Sequence, residues 1–267
     1  MSQRYSLDTL AAAWAQILGV PAPEYAAAPN PDLLDHVRKA FGNNNADRIF
    51  LFNPDAIGQW VCEKYPKMLS EVTAITQLTL PLHSPMPPKT PVCFGTMYTG
   101  AQPEVHGIQK YEKPVITIDT LFDALIRAGK KPVIITYGVS SMGIIFNGRD
   151  MDYYVFDNIE QVNAKAIQLI LEDQHDFYAV YNGNFDGSVH KFGPEDPHTL
   201  GELRMNSHIF KTFCELIRTQ WHHHRTLVGF CPDHGSHYVY PNTGAHGLDT
   251  PEDRDIFHFY GTFDRSF

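Results

Sequence analysis

The sequence predicts an α/β fold with a mostly parallel central sheet covered by helices on both faces. Three observations carry this expectation. Short runs of β-branched and aromatic residues alternate with segments of helical spacing almost throughout the chain. The connections are short, as crossovers between parallel strands require. No internal repeat, low-complexity tract or linker-like break interrupts the alternation. Residues 1–267 therefore read as one domain, with 1–45 a helical N-terminal extension packed on it.

The elements follow in order. Leu7, Leu10, Ala11, Trp14, Ile17 and Leu18 fall at helical spacing, with Ser6 as the expected N-cap and Gly19 as the stop. Asn30-Pro31 opens a second helix, cap then proline at the first helical position, and Gly42 ends it. Residues 48–53 read as a buried strand, and helical spacing resumes at Trp60 and Val61 until Pro66. Residues 72–80 are the next expected strand. The five prolines between Pro81 and Pro91 predict a loop, since proline neither donates to a ladder nor continues a helix. A helix over 120–128 stopped by Gly129 precedes a strand over 131–136. The longest clean helix covers 158–172, with Ile159, Val162, Ala166, Leu169 and Ile170 on one face. A strand over 177–181, a helix over 198–220 and a strand over 226–230 complete the pattern.

Composition narrows the function. A net charge of −9 argues against a duplex nucleic-acid surface, which takes clustered Lys and Arg. It leaves room for a small phosphate ester held on metal ions, which bring their own positive charge. No run of eighteen apolar residues predicts a membrane span, and the residues from Met1 to Asp8 lack a basic-then-apolar leader. Four scattered cysteines with no CxxC pair point to a reducing cytoplasm.

The chemistry concentrates in three segments: Asp186-Gly-Ser-Val-His190, Cys231-Pro-Asp233-His234-Gly235 and Gly244-Ala-His246-Gly247. The first two follow strand candidates, where an open α/β sheet binds its ligands. Together they offer two carboxylates and three imidazoles, donors suited to zinc or manganese. Asp186 and His190 share a face if helical and can converge in a loop; alone, they read as a polar turn with a surface histidine. His246, between glycines, fits either a close backbone approach or a flexible loop. The His222-His223-His224 run sits at the end of a helix and reads as solvated. Five donors make one four-coordinate site with a spare, or two incomplete ones. Asp55, after the strand over 48–53, is a sixth candidate, although a helix N-cap would explain it equally.

Asp55, the stretch from Thr90 through Thr99-Gly100 and Pro103-Glu104-Val-His106-Gly107-Ile108, Asp186-x-x-x-His190-x-x-Gly193-Pro194, Asp233-His234-Gly235 and His246-Gly247 occur in a recognisable order. That order resembles the alkaline phosphatase superfamily, and most nearly its nucleotide pyrophosphatase/phosphodiesterase branch. The likeness spans residues 49 to 247 and implies that superfamily's fold; the intervals from Ile108 to Asp186 and from Pro194 to Asp233 hold only core-like elements and one long helix, so no cap domain fits and an open pocket is expected. It further implies two divalent ions, zinc in the family, with manganese or iron also accepted by such donors. Asp55, Asp233 and His234 would hold one, with Thr90 completing its shell; Asp186, His190 and His246 would hold the other. Thr90 would be the nucleophile of a phosphothreonine cycle. Elementary chemistry agrees, because metal coordination can activate a hydroxyl without a histidine base. Thr90 also stands at an expected helix start, where amides can meet phosphoryl oxygens.

The competing hydroxyls Ser84, Thr96 and Thr99 read as turn, helix face and helix end. Cys93-Phe-Gly-Thr-Met does not match the sulfatase run, and a mutase would need a serine at 90 and a large insertion. Two departures from the diesterase branch stand out. Gln109, Lys110 and Tyr111 occupy the neighbourhood of its asparagine and become the expected substrate contacts. Asp55-Ala56 replaces its usual Asp-Gly. The resulting expectation is a two-metal hydrolase of a small phosphodiester or pyrophosphate such as a nucleotide derivative. A phosphomonoesterase or phosphonate hydrolase on the same site is the alternative, and a catalytically silent metal-binding regulatory protein is the alternative outside enzymes.

Overall fold

A computed structural model describes residues 4–265; Met1 to Gln3, which open the segment expected to lack a leader, lie outside the described residues. Among the described residues, ten strands occur in chain order: β1 (Tyr5–Ser6), β2 (Arg48–Pro54), β3 (Leu78–His83), β4 (Pro132–Tyr137), β5 (Asp152–Phe156), β6 (Phe177–Asn182), β7 (Thr226–Phe230), β8 (His237–Val239), β9 (Thr243–Ala245) and β10 (Asp255–Phe263). Eight of them form one sheet in the order β1-β3-β10-β7-β2-β6-β4-β5, while β8 and β9 make a separate hairpin. Every pairing in the large sheet is parallel except those of β10, which runs antiparallel between β3 and β7. A single α/β domain results.

The central strands read as continuous apolar runs because both faces of the sheet are covered. On β2, Ile49 and Leu51 enter one buried cluster while Phe50 and Phe52 enter the other. Phe177, Ala179 and Tyr181 alternate in the same way with Tyr178 and Val180 on β6. The first cluster takes in the helices Thr9–Ile17, Pro31–Phe41, Thr90–Thr99 and Leu121–Arg127, so the N-terminal helices belong to the core. The second receives Ile159–Glu172 and Pro197–Gln220, whose Phe210 and Phe213 meet Phe50 and Phe52.

The cap expected at Asn30 forms, its side chain accepting from the Leu33 amide; two further caps appear, a capping box of Thr120 and Asp123 and an Asn158 that accepts from the Gln161 amide. Three expectations need correction. Ser6 is not an N-cap: it pairs with His83 in β1, and the first helix starts at Thr9 after Asp8. The strand expected over 72–80 begins six residues later, because Val72 lies within a short helix, Ser70–Thr73, and is buried from there. That strand then continues through Pro81, inside the expected loop. The two-residue β1 pairs only with Leu82 and His83, so nothing on that side requires an amide from Pro81. The strands β5, β8, β9 and β10 were not among the expected elements.

Candidate metal centre

Three parallel strands end side by side, and each releases the chain into one donor segment. Pro54 pairs with Asn182 and Phe52 with Phe230, so Asp55, Asp186 and Asp233 all emerge at the carboxyl edge. Asp55 is buried there, its amide donating to the Asn182 carbonyl at 2.9 Å, and it caps no helix. Asp186 and His190 lie on the helix Asn184–Phe192, one turn apart, with His190 Nε2 3.3 Å from Asp186 Oδ1. The β8–β9 hairpin delivers His246, whose Nε2 is 3.4 Å from the same oxygen. In the second group, His234 Nε2 lies 3.3 Å from Asp55 Oδ1 and 3.4 Å from Asp233 Oδ2. The sequence-derived partition into Asp55/Asp233/His234 and Asp186/His190/His246 is thus also the spatial one. The His234 and His246 rings stack at 4.0 Å and join the two groups.

The hydrogen bonds around these side chains define what they can hold. Each imidazole turns Nδ1 to a backbone carbonyl: His190 to Gly244 at 3.1 Å, His234 to Gly235 at 2.9 Å, His246 to Pro88 at 3.0 Å. With Nδ1–H donating, Nε2 carries a lone pair, the arrangement expected of a metal-ligating histidine. Those lone pairs face carboxylate oxygens that have no hydrogen-bond partner: Asp55 Oδ1, Asp186 Oδ1 and Asp233 Oδ2. Lone pair against anionic oxygen is repulsive in a low-dielectric interior, and buried unpartnered carboxylates are costly. A divalent cation between them resolves both problems. The same stress shows in the ionisation of the groups. Burial, and then the Asp55 charge, push the Asp186 and Asp233 carboxyls well above their ordinary range. Burial holds His234 down, and burial with the neighbouring His234 brings His246 down to about 2, so these imidazoles stay neutral. The donor set therefore fits divalent metal ions.

Thr90 stands against the buried group. It is the first residue of the helix Thr90–Thr99, 5% exposed, with Oγ1 3.3 Å from Asp55 Oδ2 and 3.3 Å from His234 Nε2. Of the competing hydroxyls, Ser84 donates to the Asp233 carbonyl, Thr96 meets His106 at 3.0 Å and Thr99 donates to the Gly95 carbonyl. His106 belongs to the motif but not to the centre. It is buried behind the Thr90 helix, and burial lowers it to about 4.

No sequence-family model matches the chain, and no curated protein matches it by sequence. Solved structures match its fold. Murine ectonucleotide pyrophosphatase/phosphodiesterase 5 superposes with a TM-score of 0.58 at 15% identity, over 73% of this chain and 58% of that one. An inactive form of the murine protein in complex with AMP gives 0.57 at 15% identity, over 73% and 59%. Phosphonoacetate hydrolase from Sinorhizobium meliloti, in complex with phosphonoformate, gives 0.55 at 15% identity, over 72% and 56%. The chain therefore shares the fold of these structures. The chain spans less than three fifths of each of these structures.

Asp55-Ala56, singled out in the sequence, has a structural signature. Ala56 adopts φ +65°, a left-handed conformation that a side chain resists by roughly 1–2 kcal/mol. Its amide donates to Asp233 Oδ1 at 3.2 Å, and the His234 amide donates to the same oxygen at 3.0 Å. Those two bonds aim the other oxygen, Oδ2, at the centre. Gly235 next to them has no room for a side chain: a Cβ would lie 2.0 Å from the Glu252 carbonyl oxygen.

The centre floors a cleft of about 420 Å³. Lys89, Thr90, Asp186, His190 and His246 line it together with Tyr111, Lys113, Tyr137, Ser140 and Ser141. Of the three expected substrate contacts, only Tyr111 lines it. Gln109 and Lys110 are exposed elsewhere, and Lys110 pairs with Glu112. A cleft of about 520 Å³ near Asp119 and Arg127 holds ion pairs that already satisfy one another.

Several residues of the centre were not legible in the sequence. The Tyr181 hydroxyl donates to Asp55 Oδ2, and its ring stacks on Tyr137 at 5.8 Å. Fully buried Asp253 accepts from the Gly247 and Leu248 amides at 2.8 Å each and from His237 Nδ1 at 2.7 Å. It thereby fixes the loop that carries His246. Lys89 Nζ donates to the His246 carbonyl from the opposite side. The triple-histidine run is less solvated than expected, since His223 and His224 both point Nε2 at Asp173 Oδ2. That carboxylate is already satisfied by His224 and Arg48, so it lacks the unpartnered oxygens of the other two groups.

Proposed function

We propose that the chain is a two-metal phosphoric ester hydrolase that works through a phosphothreonine intermediate at Thr90. The observation that carries this reading is the set of three buried, unpartnered carboxylate oxygens facing three Nε2 lone pairs, with a hydroxyl 3.3 Å from both Asp55 and His234. Two divalent ions in these groups, zinc by the likeness of fold, would stabilise charge on the attacking and leaving oxygens. Thr90 Oγ1 forms the new bond to phosphorus as the ester oxygen departs in line, and water then cleaves the phosphothreonine. His190, His234 and His246 stay oriented by their carbonyl partners throughout. Lys89, beside Thr90, places an ammonium next to the transferring group.

A small diester or pyrophosphate, such as a nucleotide derivative, is the preferred substrate class, in line with the AMP complex of the murine protein. Monoester or phosphonate hydrolysis is the second reading, motivated by Lys89 and Lys113 on the cleft, which suit a more highly charged phosphoryl group. Turnover of bis-p-nitrophenyl phosphate and p-nitrophenyl phosphate by the zinc-reconstituted protein separates the two. The diester is expected to be the better substrate; a monoester preference of about two orders of magnitude, about 2.7 kcal/mol in transition-state binding, would reverse the assignment. Absence of turnover on either, with zinc bound, would leave the silent metal-binding alternative.

A further inference from the structure

We infer that Asp173, His223 and His224 form a separate site for a borderline divalent metal ion such as zinc, which would clamp two helix ends together at the sheet edge opposite the candidate centre. The site is independent of the proposed function. Asp173 closes the helix Ile159–Glu172 shortly before β6, and His223 and His224 lie between the helix Pro197–Gln220 and β7. Both strands run from there to the carboxyl edge that releases Asp186 and Asp233. Roughly 20 Å of strand separates the two places, at about 3.3 Å per residue. Among the described residues, this is the one cluster of three converging metal donors outside the candidate centre. Other histidine–carboxylate pairs, such as His198 with Asp196 and His208 with Glu71, bring only two donors together.

The geometry suits an ion. His223 Nε2 lies 3.3 Å and His224 Nε2 2.9 Å from Asp173 Oδ2. A tetrahedron with bonds of about 2.0–2.1 Å has edges of about 3.3 Å. His222 takes no part, its Nδ1 being 3.1 Å from the Thr219 carbonyl. Asp173 is held in two ways. Its backbone adopts φ +49°, the left-handed close of its helix, and its other oxygen, Oδ1, accepts from Arg48 Nε at 3.2 Å. Arg48 is held in turn by Asp176 Oδ1 at 2.7 Å. These bonds aim Oδ2 at both imidazoles, the kind of outer support that orients a ligating carboxylate. Asp173 and Asp176 together outweigh the single charge of Arg48, which leaves the surroundings favourable to a cation. The His223 side chain is 54% exposed, so an ion can enter and water can complete its shell. Because Asp173 is hydrogen-bonded without an ion, the fold does not depend on loading, and the site fills only when the ion is available. Two imidazoles and one carboxylate select zinc, nickel or copper over magnesium and calcium.

Equilibrium dialysis against buffered zinc tests the site on the full chain, with His223→Gln as the first variant because that side chain is largely solvent-facing, and His224→Gln as the second. The comparison is between proteins, so ions held at the candidate centre cancel and the result does not depend on the hydrolase reading. Wild type should bind one zinc equivalent that each variant loses or holds at least about tenfold more weakly. An excess of magnesium or calcium should leave that equivalent in place. The thermal midpoint of wild type should go on rising with zinc after the midpoints of the variants have levelled off, because the ion binds the folded chain and joins two helix ends. The inference is overturned if wild type and both variants bind the same number of equivalents with Kd values within about threefold of one another. It is equally overturned if the three midpoints level off together, or if calcium or magnesium takes the extra site as readily as zinc.

Discussion

The two donor groups are built from similar residues but stand in different surroundings. Asp55, Asp233 and His234 are at most 1% exposed and come from the ends of adjacent central strands. The Asp186, His190 and His246 side chains are 20%, 47% and 4% exposed and come from a helix and a hairpin that reach over the sheet edge. An ion in the buried group would be caged by a rigid sheet and would position Thr90. An ion in the open group would sit beside the cleft, exchanging with solvent more readily. The lesson is that one chemistry can be divided by burial into a fixed half and a loadable half.

The sharpest way to break that contrast is to remove one ligand from each group. Asp233→Asn should lower hydrolysis by about a thousandfold or more, with no recovery in excess zinc, because its cage cannot be rebuilt from solvent. His190→Ala should lose activity at low zinc and recover much of it as zinc is raised. Zinc content by metal analysis alongside turnover checks both. Equal rescue of the two variants would mean that burial does not divide the centre.

Smaller effects are expected from residues that only orient the ligands. Asp253→Asn should weaken the zinc affinity of the open group by about 10–100-fold, and Tyr181→Phe that of the buried group by a similar factor. Competition with a chelator, followed equivalent by equivalent, shows which ion is lost. If both variants release the same one, the assignment of Asp253 and Tyr181 to different groups is wrong.

The support under the buried group carries its own pH signature. Buried His258 donates from Nε2 to the Pro232 carbonyl at 2.7 Å, and burial brings it down to about 3 from an ordinary 6.5. A histidine lowered in the fold contributes fully above pH 6.5, and that contribution is lost as pH falls, because the unfolded chain takes up the proton first. Between pH 7 and 5, wild type should therefore lose about 2 kcal/mol relative to His258→Gln. Denaturant unfolding at the two pH values measures the difference, and a constant gap would show His258 protonated in the fold. The smallest effect belongs to Ala56→Gly, which relieves the left-handed backbone and should stabilise the protein by up to about 1 kcal/mol.

How much of this was legible in the sequence depended on locality. The spacing of Asp186 and His190 allowed a shared face without deciding it against a polar turn, and the apolar runs before Asp55 and Asp233 placed them at strand ends, although a helix N-cap would have explained Asp55 equally. Thr90 and the division of the ligands came through likeness to a family, since no local pattern assigns a distant hydroxyl to a carboxylate. β10 was missed although its residues Ile256 to Tyr260 are strongly apolar and aromatic, because nothing local announces an antiparallel strand between β3 and β7. Asp253 and Lys113 were missed for a similar reason. Their partners, His237 with the loop after His246 and the Val139 carbonyl, are fixed only by the tertiary fold. Gln109 and Lys110 were expected at the substrate by adjacency to a motif, but of that stretch only Tyr111 lines the cleft, at its exposed side, and those two lie outside it.

The central claim is that Thr90 is the nucleophile of a two-metal phosphoryl-transfer centre, and the Thr90→Ala protein tests it most directly. Zinc equivalents and phosphoester turnover measured on the same preparation should show the metal content of wild type and a loss of hydrolysis of at least about ten-thousandfold. Hydrolysis retained within about tenfold of wild type, with zinc in place, would contradict the account.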